Sequence, residues 1–309
     1  MPNTEYSKTK LIKYLIWTFA LAYALQIIAA YLYNHVNMTV GQLLVAGLMF
    51  VPTLGVVLAG GSLKDVGWRP AIKKNIRSYL IAWLMPVAFT IVGAVLYFLV
   101  FPDHFTLSGE YITSLAGPDA LSQTEAQGIS YPVAILITLA ASLTYGPFMN
   151  TATALGEELG WRGFMYPQLK ARFGKNKGRI IGGLIWGAWH WPLIWLIGYE
   201  YGAAVANPIG YWGFPVTGML LFAVIACGWG ILHDWLYERS RSIWVPSLFH
   251  GAINAAVTLP LTLCLTNTGS VRLLGPMPMG ILSGLPFLFL AALLLFKKEK
   301  EPEARVSAE

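Results

Sequence analysis

The sequence predicts an all-α, polytopic membrane bundle of about eight transmembrane helices with both termini cytoplasmic. Three observations carry that prediction. Of the 309 residues, 56% are hydrophobic and only 12% charged, roughly half the charged fraction of a soluble domain. Apolar runs recur at the length of a span, about 20 residues. Lys and Arg fall into alternate loops, which is the positive-inside pattern. The 12 Trp and 15 Tyr suit aromatic belts at the two membrane interfaces. A net charge of +6 follows this topology and does not mark a nucleic-acid partner. Cys227 and Cys264 lie in or beside apolar runs and offer neither a disulfide framework nor metal-ligand spacing.

Taken in order, the predicted spans cover residues 11–33, 40–60, 78–101, 131–156, 180–198, 214–233, 243–262 and 277–296. Lys8, Lys10 and Lys13 lead straight into the first, which reads as an anchor helix rather than a cleavable signal. Pro52 and Gly55 interrupt the second, tolerable where neighbouring helices satisfy the freed backbone. Between the second and third lie Lys64, Arg69, Lys73, Lys74 and Arg77. Between the fourth and fifth lie Arg162, Lys170, Arg172, Lys175, Lys177 and Arg179. Arg239 and Arg241 follow the sixth, and Lys297, Lys298 and Lys300 follow the eighth. The 102–130 loop holds Asp103, Glu110, Asp119 and Glu125 and no basic residue; Arg272 is the one exception to the alternation. The reading divides the chain into residues 1–130 (three helices and an outer loop), a core at 131–262 (four helices), and 263–309 (the last helix and a charged, disordered tail). The membrane is the cell membrane, crossed many times.

Polar groups at membrane depth are costly and mark function. Glu157 and Glu158 end the fourth span. Glu158 and Arg162 are i and i+4, on one helix face; Glu157 is rotated about 100° away. This assigns Glu158 to Arg162 and leaves Glu157 without a local partner. Gly156, Gly160 and Gly163 admit close approach of another helix. His190 is the only ionisable residue between Arg179 and Glu200; Trp186 shares its face, and Pro192 kinks the helix beside it. His250 and Asn254 share one face of the seventh span. Each feature has a plain structural alternative: an interfacial ion pair, a histidine bonded to a carbonyl, and polar glue between helices at about 1 kcal/mol per bond. All three fall on the cytoplasmic halves of inside-facing spans. On the helix rise His250 lies about 10 Å deep and His190 about 16 Å. A kink near Pro147 brings Glu157 to the same level. His233-Asp234 reads as a helix end that is capped or faces solvent; His35 and His104 lie in loops.

A carboxylate with two histidines suits activation of water: the carboxylate takes its proton and returns it to the leaving group. Imidazole or amide N–H groups stabilise the oxyanion formed when water attacks an amide. The same kind of set could bind zinc, which lowers the pKa of its bound water; Glu157, His190 and His250 are then the ligands. These residues do not choose between the two. No HExxH or GxSxG pattern occurs. An ion-coupled transporter using the same groups as a relay is the competing use, without an evident inverted repeat to support it.

Glu157-Glu158-Leu159-Gly160-Trp161-Arg162 resembles the EExxxR motif of the CPBP family, the CAAX proteases and bacteriocin-processing or immunity proteins. Trp186-Gly187-Ala188-Trp189-His190 resembles its [FW]xxxH motif, and His250-Gly251-Ala252-Ile253-Asn254 its HxxxN motif. The resemblance spans about residues 140–260, in the family's order. It implies an eight-helix intramembrane endopeptidase with a conical cavity open to cytoplasm and lipid. In it Glu157 would activate water with His190, His250 and Asn254 would form the oxyanion site, and Glu158 and Arg162 would support them. It implies a peptide or lipidated-peptide substrate, CaaX-type or bacteriocin- or signal-like. Family members have been described both as zinc metalloproteases and as metal-free. The non-catalytic alternative within the family is a bacteriocin-immunity or peptide-binding protein.

Overall fold

The computed structural model describes residues 5–116, 119–202, 210–266 and 268–297. Fourteen α-helices follow in order among them: α1 Lys8–His35, α2 Met38–Leu48, α3 Val51–Leu58, α4 Ile72–Val100, α5 Glu110–Ala116, α6 Ala120–Ala126, α7 Tyr131–Leu143, α8 Tyr145–Gly160, α9 Tyr166–Phe173, α10 Lys175–Trp189, α11 Trp191–Leu196, α12 Val216–Ser240, α13 Trp244–Ala256 and α14 Leu285–Phe296. Among the described residues there is no strand, only an isolated antiparallel bridge of Phe105 with Cys264. The charged tail beyond Lys297 lies outside the described residues.

Every predicted apolar segment contains helix, but prolines divide several of them. α1, α4 and α12 are each long and apolar enough to cross a membrane, and the number rises to five if two bent helix pairs each count as one span. Pro52 enters at the start of α3, and α2 and α3 meet at 43°. The 131–156 segment breaks at Thr144 into α7 and α8. Pro147 cannot donate to Leu143, four residues back; the Leu143 carbonyl instead accepts from Trp83 Nε1 at 2.7 Å. The 180–198 segment breaks at His190. Pro192 leaves the Ala188 carbonyl without its helical donor, and Tyr23 Oη supplies one at 2.8 Å. Gln26 Nε2 does the same for the Trp189 carbonyl at 2.8 Å. The freed groups are thus met by other helices, as a low-dielectric surround demands.

α8 sits at the centre, packed on α13 and α3, while α10 packs along α12. Small residues set these distances. A Cβ on Gly251 would lie 2.5 Å from the Pro147 carbonyl oxygen, and one on Gly160 would collide with Pro52. The glycine-mediated approach predicted beside the glutamates therefore holds. Outward faces are apolar: Leu99 is 74% exposed, Phe289 68% and Leu136 63%. Apolar surface of this extent belongs against lipid.

After Gly160 the helix widens into a π-turn, Trp161–Met165, before α9. Such insertions recur at functional sites. At the basic end of the bundle, α9, α10 and α12 are tied by buried ion pairs. Lys170 Nζ lies 2.6 Å from Asp234 Oδ1 and Arg179 Nε 2.7 Å from Asp234 Oδ2. The same cations reach Glu238, each at 2.9 Å. Asp234 is therefore neither a helix cap nor a solvent-facing group. It is buried because two cations from neighbouring helices compensate its charge.

Candidate active site

The residues singled out in the sequence meet around one cavity of about 240 Å³. Glu157 reaches it from α8, His190 from the α10–α11 break, and His250 and Asn254 from α13; Trp186 also lines it. The break at Thr144 reorients α8 and the break at His190 ends α10, so groups at different predicted depths share one wall.

Glu157 is buried and is not without partners. Its Oε2 accepts two indole N–H bonds, from Trp161 Nε1 and Trp186 Nε1, each at 2.8 Å. Helix spacing pointed to no partner for Glu157; the indoles of its own i+4 residue and of α10 supply two. Oε1 takes no protein hydrogen bond among the described residues. Two N–H donors on one oxygen fix the plane of the carboxylate.

Glu158 forms the predicted pair with Arg162, Nη1 to Oε1 at 2.9 Å with both side chains fully buried. The same Oε1 lies 2.9 Å from His250 Nδ1. His250 thus bonds to Glu158 and not to Glu157. A carboxylate only accepts, so Nδ1 carries the hydrogen. His190 Nδ1 meets the Trp186 carbonyl at 2.9 Å, and a carbonyl also only accepts, so this Nδ1 is protonated too. Both rings therefore keep Nε2 as the nitrogen free for chemistry. His250 Nε2 can donate to an oxyanion when both ring nitrogens carry hydrogen. Asn254 makes no side-chain hydrogen bond among the described residues and offers its amide to the cavity.

Trp186 joins these groups. Its N–H holds Glu157, its carbonyl holds His190, and its ring lies 4.6 Å under the Arg162 guanidinium carbon. Trp161 belongs to the site and was not singled out in the sequence; its i+4 spacing from Glu157 is the same signal that paired Glu158 with Arg162. Glu200, in the loop after α11, lines the cavity as well. Burial pushes its carboxyl up to about 8.

His233 is the largest departure from the sequence reading. Its side chain is fully buried, with ring centroids 5.5 Å from His250 and 5.3 Å from Trp186. It directly precedes the ion-paired Asp234 on α12, but its ring faces a neighbourhood created by the packing of α8, α12 and α13. The triple whose ligand atoms converge within 4.8 Å is Glu158, His233 and His250. The Glu157, His190 and His250 set predicted for zinc does not converge to that distance among the described residues. The triple that does converge holds one carboxylate, and Arg162 already neutralises it on the oxygen nearest both rings. A divalent ion there would face a guanidinium with no second anion, a costly arrangement in a buried site. The donor set therefore does not fit zinc.

Residues 132–256 match the family described as type II CAAX prenyl endopeptidase, Rce1-like. Over 299 residues the chain is 26% identical to the CAAX prenyl protease 2 of Methanococcus maripaludis, covering 93% of each protein. The matched region contains all three motifs and the α8, α10 and α13 residues that line the cavity. Through this 132–256 core the chain resembles the Rce1-like CAAX endopeptidases, and the two likenesses together support a CPBP-type endopeptidase.

Proposed function

We propose that the protein hydrolyses a peptide bond in a membrane-associated peptide by a metal-free mechanism, with Glu157 as the water-activating base. The observation that carries this reading is the shared cavity of Glu157, His190, His250 and Asn254, with the Nδ1 of both histidines already engaged. Glu157 removes a proton from water, assisted by the His190 Nε2 lone pair. The hydroxide adds to the carbonyl carbon, and the oxyanion accepts hydrogen bonds from His250 Nε2–H and the Asn254 amide. Glu157 then returns the proton to the amide nitrogen as the C–N bond breaks, giving a carboxylic acid and an amine. Glu158, itself held by Arg162, orients His250 through Nδ1, and Trp161 and Trp186 orient Glu157.

The substrate class is a lipidated or membrane-embedded peptide. Apolar outer faces and the CAAX prenyl protease relative support that class. On this reading the protein is a multi-pass cell-membrane protein with both termini and the basic helix ends on the cytoplasmic side. The test is cleavage of a farnesylated CaaX peptide by protein in liposomes, with the unprenylated peptide and a hydrophobic transmembrane peptide alongside. Cleavage of a lipidated or transmembrane peptide that is lost in Glu157→Ala and Glu157→Gln is expected. Full cleavage by Glu157→Gln removes Glu157 from the role of base; capture of peptide without cleavage by the wild type would make the protein a peptide-binding or immunity factor.

A further inference from the structure

Behind His250, on the side away from the cavity, lies a second polar group that the reaction above does not use. His233 Nδ1 meets the Trp229 carbonyl at 2.7 Å, so that nitrogen carries the hydrogen and Nε2 keeps its lone pair. Among the described residues, His233 Nε2, Glu158 Oε2, Arg162 Nε, Arg162 Nη2 and Tyr166 Oη are buried without a hydrogen-bond partner. They are close together. His233 Nε2 is 3.8 Å from Glu158 Oε1, and the Arg162 guanidinium carbon is 4.6 Å from the Tyr166 ring centre. Arg162 Nη2 and Tyr166 Oη converge on Gly230, one turn before His233 on α12. Buried polar atoms are almost always satisfied, and a dense polar group in a protein interior is commonly met by ordered water. Donors and acceptors here are complementary: Arg162 and Tyr166 give, while His233 Nε2 and Glu158 Oε2 receive.

We propose that His233 is a positioning residue for His250, acting through Arg162 and Glu158. Its Nε2 lone pair receives the unpaired edge of Arg162 through an internal water. That contact holds the guanidinium so that Nη1 stays on Glu158 Oε1, and the carboxylate stays aimed at His250 Nδ1. The consequence is a single His250 tautomer, with Nε2 turned to the cavity. Arg162, sandwiched against Trp186 and Tyr166, otherwise has one anchored nitrogen out of three. The functional consequence rests on the endopeptidase reading; the tautomer itself does not.

The substitutions separate the two ring nitrogens. Asparagine at 233 can keep the bond to the Trp229 carbonyl but has nothing at the Nε2 position. Glutamine places an acceptor near Nε2. Leucine keeps bulk alone. Full-length protein in detergent, labelled with ¹⁵N-histidine, reports the His250 tautomer by NMR, and farnesylated CaaX peptide reports turnover. Expected in His233→Asn and His233→Leu are mixed His250 tautomers and a kcat about 10- to 100-fold lower, the equivalent of roughly one or two hydrogen bonds, with KM within about twofold. His233→Gln is expected to recover most of both. An unchanged His250 tautomer in His233→Asn overturns the proposal, as does stoichiometric metal in the wild type that disappears in that variant. A loss confined to KM also overturns it. If the wild type cleaves no peptide, the endopeptidase reading fails and the NMR comparison alone decides the positioning role.

Discussion

Glu158 Oε1 lies 2.9 Å from His250 Nδ1 across 92 residues of sequence. This contact makes the second glutamate part of the histidine's chemistry, because it fixes which imidazole nitrogen faces the cavity. Glu158→Gln keeps the shape but removes the charge that holds both His250 and Arg162. It leaves Arg162 buried and unpaired, which costs about 3–5 kcal/mol, and a large fall in kcat accompanies it. Thermal unfolding in detergent and steady-state kinetics check the two effects. Glu158→Gln with Arg162→Met should lose less stability than the sum of the single changes, while turnover stays low. Strict additivity in stability would show that the pair is not coupled.

The indoles of Trp161 and Trp186 donate to the same Glu157 oxygen. Trp161→Phe and Trp186→Phe each remove one charge-assisted bond, worth about 1.5–3 kcal/mol, which corresponds to roughly 10- to 100-fold in rate if fully expressed in the transition state. Because they share an acceptor, the double variant should cost less than the product of the single effects. Measured kcat/KM for the three variants tests this; a Trp161→Phe enzyme as fast as wild type would remove that indole from the site.

Period and spacing made part of this site legible. The i, i+4 rule placed Arg162 on Glu158 and Asn254 with His250, and Pro192 marked the helix break that carries His190. What spacing could not supply was which helix faces which. The sequence reading grouped His250 with Glu157, whereas the packing of α13 on α8 sets its Nδ1 on Glu158. His233 looked like a helix end because its burial depends on α8 and α13, neither close to it in sequence. The spans followed the same division. Hydropathy pointed to eight apolar segments, of which three helices, or up to five spans if bent pairs are joined, are long and apolar enough to cross a membrane; Pro147 and Pro192 divide the fourth and fifth segments into shorter helices whose freed carbonyls are met by Trp83, Tyr23 and Gln26. That compensation is tertiary, so a window of local hydropathy does not register it.

Glu200 gives the cavity a pH dependence. Its carboxyl, ordinarily near 4.5, is pushed up to about 8 by burial. Folding therefore favours its neutral form. The contribution is fully present below the ordinary value and is lost as pH rises through about 8. Melting temperature in detergent should fall as pH rises from about 5 to 8 and level off above that, and Glu200→Gln should flatten that part of the profile. A wild-type and a Glu200→Gln profile that run parallel through this window would rule out Glu200 as the titrating group.

The Asp234 ion pairs test whether stability and turnover can be separated. Asp234 receives Lys170 and Arg179 at 2.6 and 2.7 Å, with its carboxylate fully buried and Arg179 only 3% exposed. Removing the acid leaves two cations from other helices with only the more exposed Glu238 to compensate them. Asp234→Ala should lower stability by about 3–5 kcal/mol, and Asp234→Asn, which keeps two polar contacts, by less. Because the pairs are shielded from solvent, moderate salt should not reproduce the loss. Glu157, His190 and His250 are held by other contacts, so the folded fraction of Asp234→Asn should retain wild-type kcat. Turnover normalised to folded protein, measured beside the unfolding midpoint at low and high salt, distinguishes this from a direct role. A fall in kcat without a fall in midpoint would place Asp234 in the site's own hydrogen-bond network through its neighbour His233.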